Sequence, residues 1–260
     1  MIIRKSPDEL ERMARAGRIV AETLALVGEH ARSGVTTAEL DELAEDFITG
    51  QGGYPTFKGY RGYPAATCIS PNSMIVHGIP GPYELSDGDI LSVDVGVTLD
   101  GFVADSAYTF AIGEISNEGE RLTEACQAAL AAGIEQCRAD NRLSDISHVI
   151  QEVTESHGFS VVKSLVGHGV GRSMHEEPQI PNYGEAGRGP LLSPGMTFAI
   201  EPMITAGGDE VVVHDDDWSI STADGSLSAH FEHTVAITGD GPRILTPRVG
   251  IAVERARLLQ

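Results

Sequence analysis

The chain has 260 residues, 41% hydrophobic and 22% charged, with a formal net charge of -20. That length can fill one large core, and the composition is that of a globular protein rather than a disordered one. The acidic balance excludes a nucleic-acid-binding surface, which needs clustered Lys and Arg.

Met1-Ile2-Ile3-Arg4-Lys5 turns polar too soon for a secretory leader. Ser6-Pro7-Asp8-Glu9 reads as a capping box with Pro at the first helical position. Leu10, Met13, Val20, Leu24 and Val27 then follow at helical spacing, predicting a helix to near Gly34. A second box, Thr36-Thr37-Ala38-Glu39, opens a helix with Leu40, Leu43, Phe47 and Ile48 on one face. From Gly62 to Tyr83 the chain lacks Asp, Glu, Lys and Arg, yet Pro64, Pro71, Pro80 and Pro82 exclude a membrane helix there.

Asp100-Gly101, between two strand-like runs, predicts a tight hairpin. If Leu99 pairs with Phe102, Gly96 faces Asp105, and Asp94 becomes a diagonal neighbour of Asp105, roughly 7–8 Å away at the backbone. Helices are expected from about Asn117 to Ala139 and from about Ser144 to His157, followed by strands carrying His168, Glu201 and Glu232. Two helices followed by strands, twice, give an α+β architecture: a curved antiparallel sheet backed by helices. The reading is one domain, 1–260, in halves of approximately 1–112 and 113–250. Cys126 and Cys137, placed on the third helix about 16 Å apart, are too distant for a disulfide. With Cys68 they are the only cysteines, there is no C-x-x-C pair, and a cytoplasmic location is expected.

Asp94, Asp105, Glu201 and Glu232 each interrupt an apolar, strand-like stretch, where an unpaired charge is expensive to bury. Nearby Arg and Lys are too few to pair them all, so metal is the better reading. The hairpin spacing suits two carboxylates gripping ions about 3.5–4 Å apart, and four carboxylates neutralise two divalent ions. Oxygen ligands with one imidazole, His168, favour Mn, Fe(II) or Co over a sulfur-rich structural site, with Zn or Ni as further candidates.

Asp94, Asp105, Gly167-His168-Gly169-Val170-Gly171, Glu201 and Glu232 resemble the five-ligand signature of the pita-bread metallopeptidases of family M24. His77-Gly78-Ile79-Pro80, His175-Glu176-Glu177-Pro178-Gln179 and Ile200-Glu201-Pro202-Met203 narrow the resemblance to methionine aminopeptidase of type I, over nearly the whole chain. Ligand separations of 11, 63, 33 and 31 residues make the ordered set specific where each motif alone is not.

The resemblance implies a pita-bread fold with the site between pseudo-two-fold halves. It implies removal of the N-terminal methionine of nascent proteins whose second residue is small, by water that two divalent ions activate. Asp94 would hold one ion, His168 and Glu201 the other, and Asp105 and Glu232 would bridge them. Glu201 would also carry the proton from water to the leaving amine. His175 would hydrogen-bond the scissile carbonyl, and His77 would contact the substrate backbone. The methionine pocket maps to Tyr60, Tyr63, Cys68, Met174 and Trp218. Met174 stands where an aromatic residue is common, and Gly96 where a small polar residue is. Asn72, the Met74 carbonyl and Ser228 match a monovalent-cation site for Na or K. The implied partners are nascent N-termini and the ribosome, with no membrane and a monomeric state.

Other histidines read as structural: His30, His148 and His157 as surface or packing residues, with His230 and His233 unassigned. His214-Asp215-Asp216-Asp217 reads as a solvated loop. Proline-directed relatives share the ligands but generally carry an added N-terminal domain. Type II enzymes carry an insertion between the last two ligands that this chain lacks. A non-catalytic binding module would have lost ligands, and all five stand here. Ile2 is bulky and β-branched, so Met1 itself is expected to be retained.

Overall fold

The structure, a computed structural model, describes residues 2–250. Met1, and with it the retention expectation, lies outside the described residues, as does the stretch 251–260. Helices α1 (Pro7–His30) and α2 (Thr37–Gly50) both start on complete capping boxes, with Ser6 and Thr36 as the caps. α1 stops four residues before Gly34. The Ala31 amide closes it on the Val27 carbonyl, and the chain then turns so that the Gly34 amide meets the Leu85 carbonyl at 2.8 Å.

The hairpin Ile90–Leu99 and Phe102–Ala111 has the expected register: Leu99 opposite Phe102 and Gly96 opposite Asp105. Asp100 and Gly101, at φ 50 and 78, supply its left-handed turn. Its outer face packs on α1, where Ala16, Ile19, Val20, Leu24 and Val27 meet Leu91, Val93, Val95 and Val97 in one buried cluster. Helices α3 (Asn117–Glu135) and α4 (Leu143–Ser156) back a second cluster with Phe198, Ile200, Phe231 and Val235. α3 is shorter than expected. The Gln136 and Cys137 amides tighten onto Gly133 and Ile134, so Cys137 lies beyond the helix rather than on it.

Among the described residues every strand pair is antiparallel, and the strands fall into four sheets. The hairpin pairs with Tyr54–Pro55 and Cys68–Pro71. A five-stranded sheet runs Gly241–Ile244, His233–Thr238, Thr197–Ile200, Val166–Gly169, Glu176–Pro181. One small sheet joins Met74–Val76 to Ile220–Thr222, tying early chain to late. Residues 245–248 form a strap behind the hairpin. The Leu245 amide bonds the Thr234 carbonyl at 2.8 Å, and Arg248 donates to the carbonyls of Ala107 (2.7 Å) and Glu232 (3.3 Å). Only a glycine fits where α1 crosses this strap, because a Cβ on Gly17 would lie 2.0 Å from the Leu245 oxygen.

Candidate metal centre and substrate cavity

Alternation along the hairpin turns Asp94 and Asp105 to its inner face. Cys68 lies opposite Asp94 on the neighbouring strand, which brings its side chain to the same wall. His168 comes from the strand next to the edge of the five-stranded sheet, paired with Gln179 and Ala199. Glu201 and Glu232, expected inside strands, instead sit just past strand ends. Pro202 has no N–H with which to continue the ladder, and Glu201 gives its carbonyl to the Asn182 amide group at 2.9 Å. Glu232 falls between Ser228–His230 and His233–Thr238, where its amide bonds the Ala107 carbonyl at 3.0 Å. That bond crosses from the second half of the chain to the hairpin and fixes Glu232 beside Asp105.

All five side chains line one cavity. His168 Nε2 lies 3.4 Å from Glu201 Oε1 and 3.8 Å from Asp105 Oδ2. Its Nδ1 lies 2.9 Å from the Gly169 carbonyl, which can only accept, so the proton sits on Nδ1 and the Nε2 lone pair faces the acids. Asp105, His168 and Glu232 each offer a ligand atom, all within 4.8 Å of one another.

Charge makes this arrangement costly to the protein alone. Burial pushes the Asp94 carboxyl up to about 7. Burial, then the charges of Glu232 and Asp94, lift Asp105 well above the ordinary carboxylate range. Burial, then Asp105 and Asp94, do the same for Glu201, and burial, then Asp94 and Glu201, for Glu232. Asp94 Oδ1, Asp105 Oδ1 and Glu232 Oε1 are buried with no hydrogen-bond partner. Orphaned carboxylate oxygens beside a neutral imidazole fit divalent cations, since such ions supply the missing positive charge and accept both donor types. Burial lowers His168 to about 3, which keeps it in the neutral form a ligand needs.

The remaining walls separate into a polar rim and an apolar pocket. Tyr60 stacks on His175 at 5.4 Å, with its hydroxyl 2.9 Å from His175 Nδ1, and His175 in turn lies 4.2 Å from the His168 ring. His77 holds a left-handed backbone, φ 58, fixed by the Gly78 amide on Ser70 Oγ at 3.1 Å, and burial lowers its imidazole to about 4. Tyr63 donates to the Thr67 and Gly78 carbonyls and meets Trp218 edge-on at 5.1 Å. Cys68 and Met174 are buried beside them, and burial raises the Cys68 thiol so that it lines the pocket as a neutral group. The loop His214–Asp217 is exposed as expected, yet Asp216 accepts from the Trp218 and Ser219 amides and so sets the turn that presents Trp218.

The structure brings together every expected metal, catalytic and pocket residue. Of the cation trio, Asn72 and Ser228 adjoin through a 2.9 Å backbone bond, while Ser228 Oγ donates to the Ile204 carbonyl and the Asn72 side chain binds Asp89. Met74 begins the strand that pairs with Ile220–Thr222. His230 was missed. Its Nε2 is buried and unbonded, 3.9 Å from Glu201 and 4.0 Å from Glu232. Its position two residues before Glu232, on the same face, is the signal that could have found it. His233, by contrast, is taken up by Thr246 at 3.0 Å. Phe57, Arg61 and Met203 complete walls that the sequence did not mark.

Comparison with known proteins follows the same lines. The model of Metallopeptidase family M24 matches residues 11–239. A methionine aminopeptidase of Clostridium perfringens is 53% identical over 95% of this chain and 99% of its own. Methionine aminopeptidase 1 of Bacillus subtilis is 50% identical over 95% of this chain and 99% of its own. The crystal structure of methionine aminopeptidase from Thermotoga maritima superposes with a TM-score of 0.94 at 45% identity, covering 95% of this chain and all of that one.

Proposed function

Because this chain belongs to metallopeptidase family M24, with the pita-bread fold, and within it to the type I methionine aminopeptidases, we propose that it removes the N-terminal methionine of nascent proteins whose second residue is small. The observation that carries this reading is one cavity holding both the orphaned acids and an apolar wall of Tyr63, Cys68, Met174 and Trp218. The chain is a metal-dependent hydrolase, and its cofactors are divalent ions.

Asp94, Asp105, His168, Glu201 and Glu232 would hold two such ions, with Asp105 and Glu232 shared between them. Mn, Fe(II) and Co suit these ligands, and Zn or Ni are further candidates. A bound pair supplies a water-derived nucleophile at neutral pH and polarises the scissile carbonyl. The residues supply the rest. Tyr63, Cys68, Met174 and Trp218, with Tyr60 at the rim, enclose the methionine side chain and exclude water. His77 holds the substrate backbone. His175, oriented by Tyr60, donates to the carbonyl oxygen as negative charge develops there. Glu201 takes the proton of the attacking water and passes it to the leaving amine.

The same reading covers the setting. The halves, about 1–112 and 113–250, work as one catalytic domain. Asn72, the Met74 carbonyl and Ser228 take Na or K behind the site. The chain acts as a cytoplasmic monomer on nascent N-termini, at or near the ribosome. No described helix is long and apolar enough to cross a membrane.

The test is Met release by metal-stripped protein restored with Mn, Fe(II) or Co, on Met-Ala-Ser, Met-Leu-Ser and Ala-Pro-Ala. Metal-dependent release from Met-Ala-Ser alone is expected. Cleavage of Ala-Pro-Ala instead would transfer the protein to a proline-directed specificity. Two bound ions without cleavage would make it a binding module.

A further inference from the structure

Among the described residues Arg61 is the only Lys or Arg lining the cavity, and it is exposed at the rim. Its backbone is left-handed, φ 48 and ψ 26, a conformation that costs a non-glycine residue about 1 kcal/mol. The turn that imposes this is firmly bonded: the Gly59 amide donates to the Tyr63 carbonyl at 2.8 Å, and Tyr63 to Tyr60 at 2.9 Å. Strain held by such a scaffold, at the mouth of a site, marks a side chain whose direction matters. The guanidinium lies 5.4 Å over the Tyr60 ring, so Arg61, Tyr60, His175 and His168 form one stack from solvent to the metal centre. Among the described residues no carboxylate pairs with Arg61, in a chain whose net charge is -20.

We propose that Arg61 selects substrates with an acidic side chain at the third or fourth residue, by pairing with that carboxylate at the mouth of the cavity. This deepens the methionine aminopeptidase reading and rests on it. An exopeptidase buries the terminal residue of its substrate, so whatever meets the rim lies downstream of the scissile bond. Ring-to-centre steps of 5.4 Å and 5.4 Å put Arg61 at most about 11 Å from His175, a span of some three extended residues. Counting from the carbonyl that His175 contacts, that reaches the third and fourth positions. A planar guanidinium, already oriented by the Tyr60 face, suits a carboxylate better than a flexible ammonium would.

The experiment compares kcat/KM for Met-Ala-Asp-Glu-Ser and Met-Ala-Lys-Lys-Ser, both C-terminally amidated, in the metal-loaded wild type and in Arg61→Asn, Arg61→Lys and Arg61→Glu. Asn tolerates the left-handed backbone, so the turn survives, and any general effect of a variant cancels in the ratio of the two peptides. The acidic-to-basic ratio should fall about fivefold in R61N, the upper range for an exposed ion pair, and further in R61E. R61K should retain part of it, and the wild-type difference from R61N should shrink at 1 M salt. A ratio unchanged in R61N, or insensitive to salt, overturns the proposal while leaving the methionine reading intact. Failure of the wild type to release Met from either peptide overturns both.

Discussion

Lys5 and Glu176 meet as a buried ion pair, Nζ to Oε2 2.5 Å, across most of the chain. The other oxygen of Glu176 takes the Arg172 amide at 2.7 Å, so the pair braces the short loop that carries His175. Gly171 leaves room for the ammonium, since a Cβ there would lie 2.6 Å from Lys5 Nζ. Lys5→Met strands a buried carboxylate and should cost about 3 kcal/mol, read by calorimetry. It should also lower kcat more than it raises KM, because the loop it loosens holds the carbonyl donor. Adding Glu176→Met should recover stability but not kcat. Wild-type kcat in Lys5→Met would sink the bracing role.

In the proposed ligation Asp105 would serve both ions and Asp94 one. Asp105→Asn should therefore lose more than one equivalent of tightly bound metal, and Asp94→Asn about one, as counted by elemental analysis after dialysis. Equal losses from the two variants would refute the division of labour between them.

The acids set the pH dependence of the metal-stripped protein. A carboxyl that keeps its proton in the fold, where the unfolded chain has lost it, makes stability fall as pH rises. For Asp94 that window runs from its ordinary 3.8 to about 7, and Asp105, Glu201 and Glu232, raised by burial and by one another's charges, act in the same sense. The buried imidazoles of His77, His168 and His230, lowered to about 4, 3 and 3, act in the opposite sense, but only below their ordinary 6.5. Above pH 6.5 these imidazoles no longer oppose the acids. Each retained proton costs about 1.4 kcal/mol per pH unit, and each kcal/mol moves Tm by about 2–4 °C at this size. Tm of stripped protein should fall as pH rises above 6.5, and metal should abolish most of the fall. A flat profile without metal would show that the acids are already compensated.

Gly96 and Met174 depend on each other. A Cβ at Gly96 would sit 3.0 Å from Met174 Cε and 3.3 Å from Phe57. Gly96→Thr should therefore press Met174 into the pocket and raise KM for Met-Ala-Ser about tenfold, with a smaller change in kcat. In a Met174→Ala background the same substitution should cost much less, a coupling that a double-mutant cycle reads directly. Additive effects would mean that the two residues act separately.

Much of this was legible in the chain. The Asp100-Gly101 turn and strict alternation fixed the hairpin register, because a one-residue slip would expose its whole apolar face. The five ligands stood out because charge in an apolar run is costly. What could not be read depended on distant partners. The helix ends near His30 and Glu135 overshot because the residues beyond them tolerate helix, and local turns and long-range bonds such as Gly34 to Leu85 end it instead. Arg248 binds main-chain carbonyls, which leave no mark on their own side chains. Lys5 and Glu176 carry no shared pattern at so long a separation. His230 had no assignment from the chain alone, because its nearness to both Glu201 and Glu232 exists only in the fold.

The strap at 245–248 bears on when the molecule becomes an enzyme. It joins the hairpin that carries Asp94 and Asp105 to the backbone of Glu232, and its anchor Arg248 is among the last described residues. During synthesis the first two acids emerge long before the third and fourth, and the clamp that seats Glu232 follows them. Contacts of such long sequence range form slowly, since loop closure must precede them. A chain synthesised only as far as Glu232 would therefore carry an incomplete centre, and catalysis would wait for the strap.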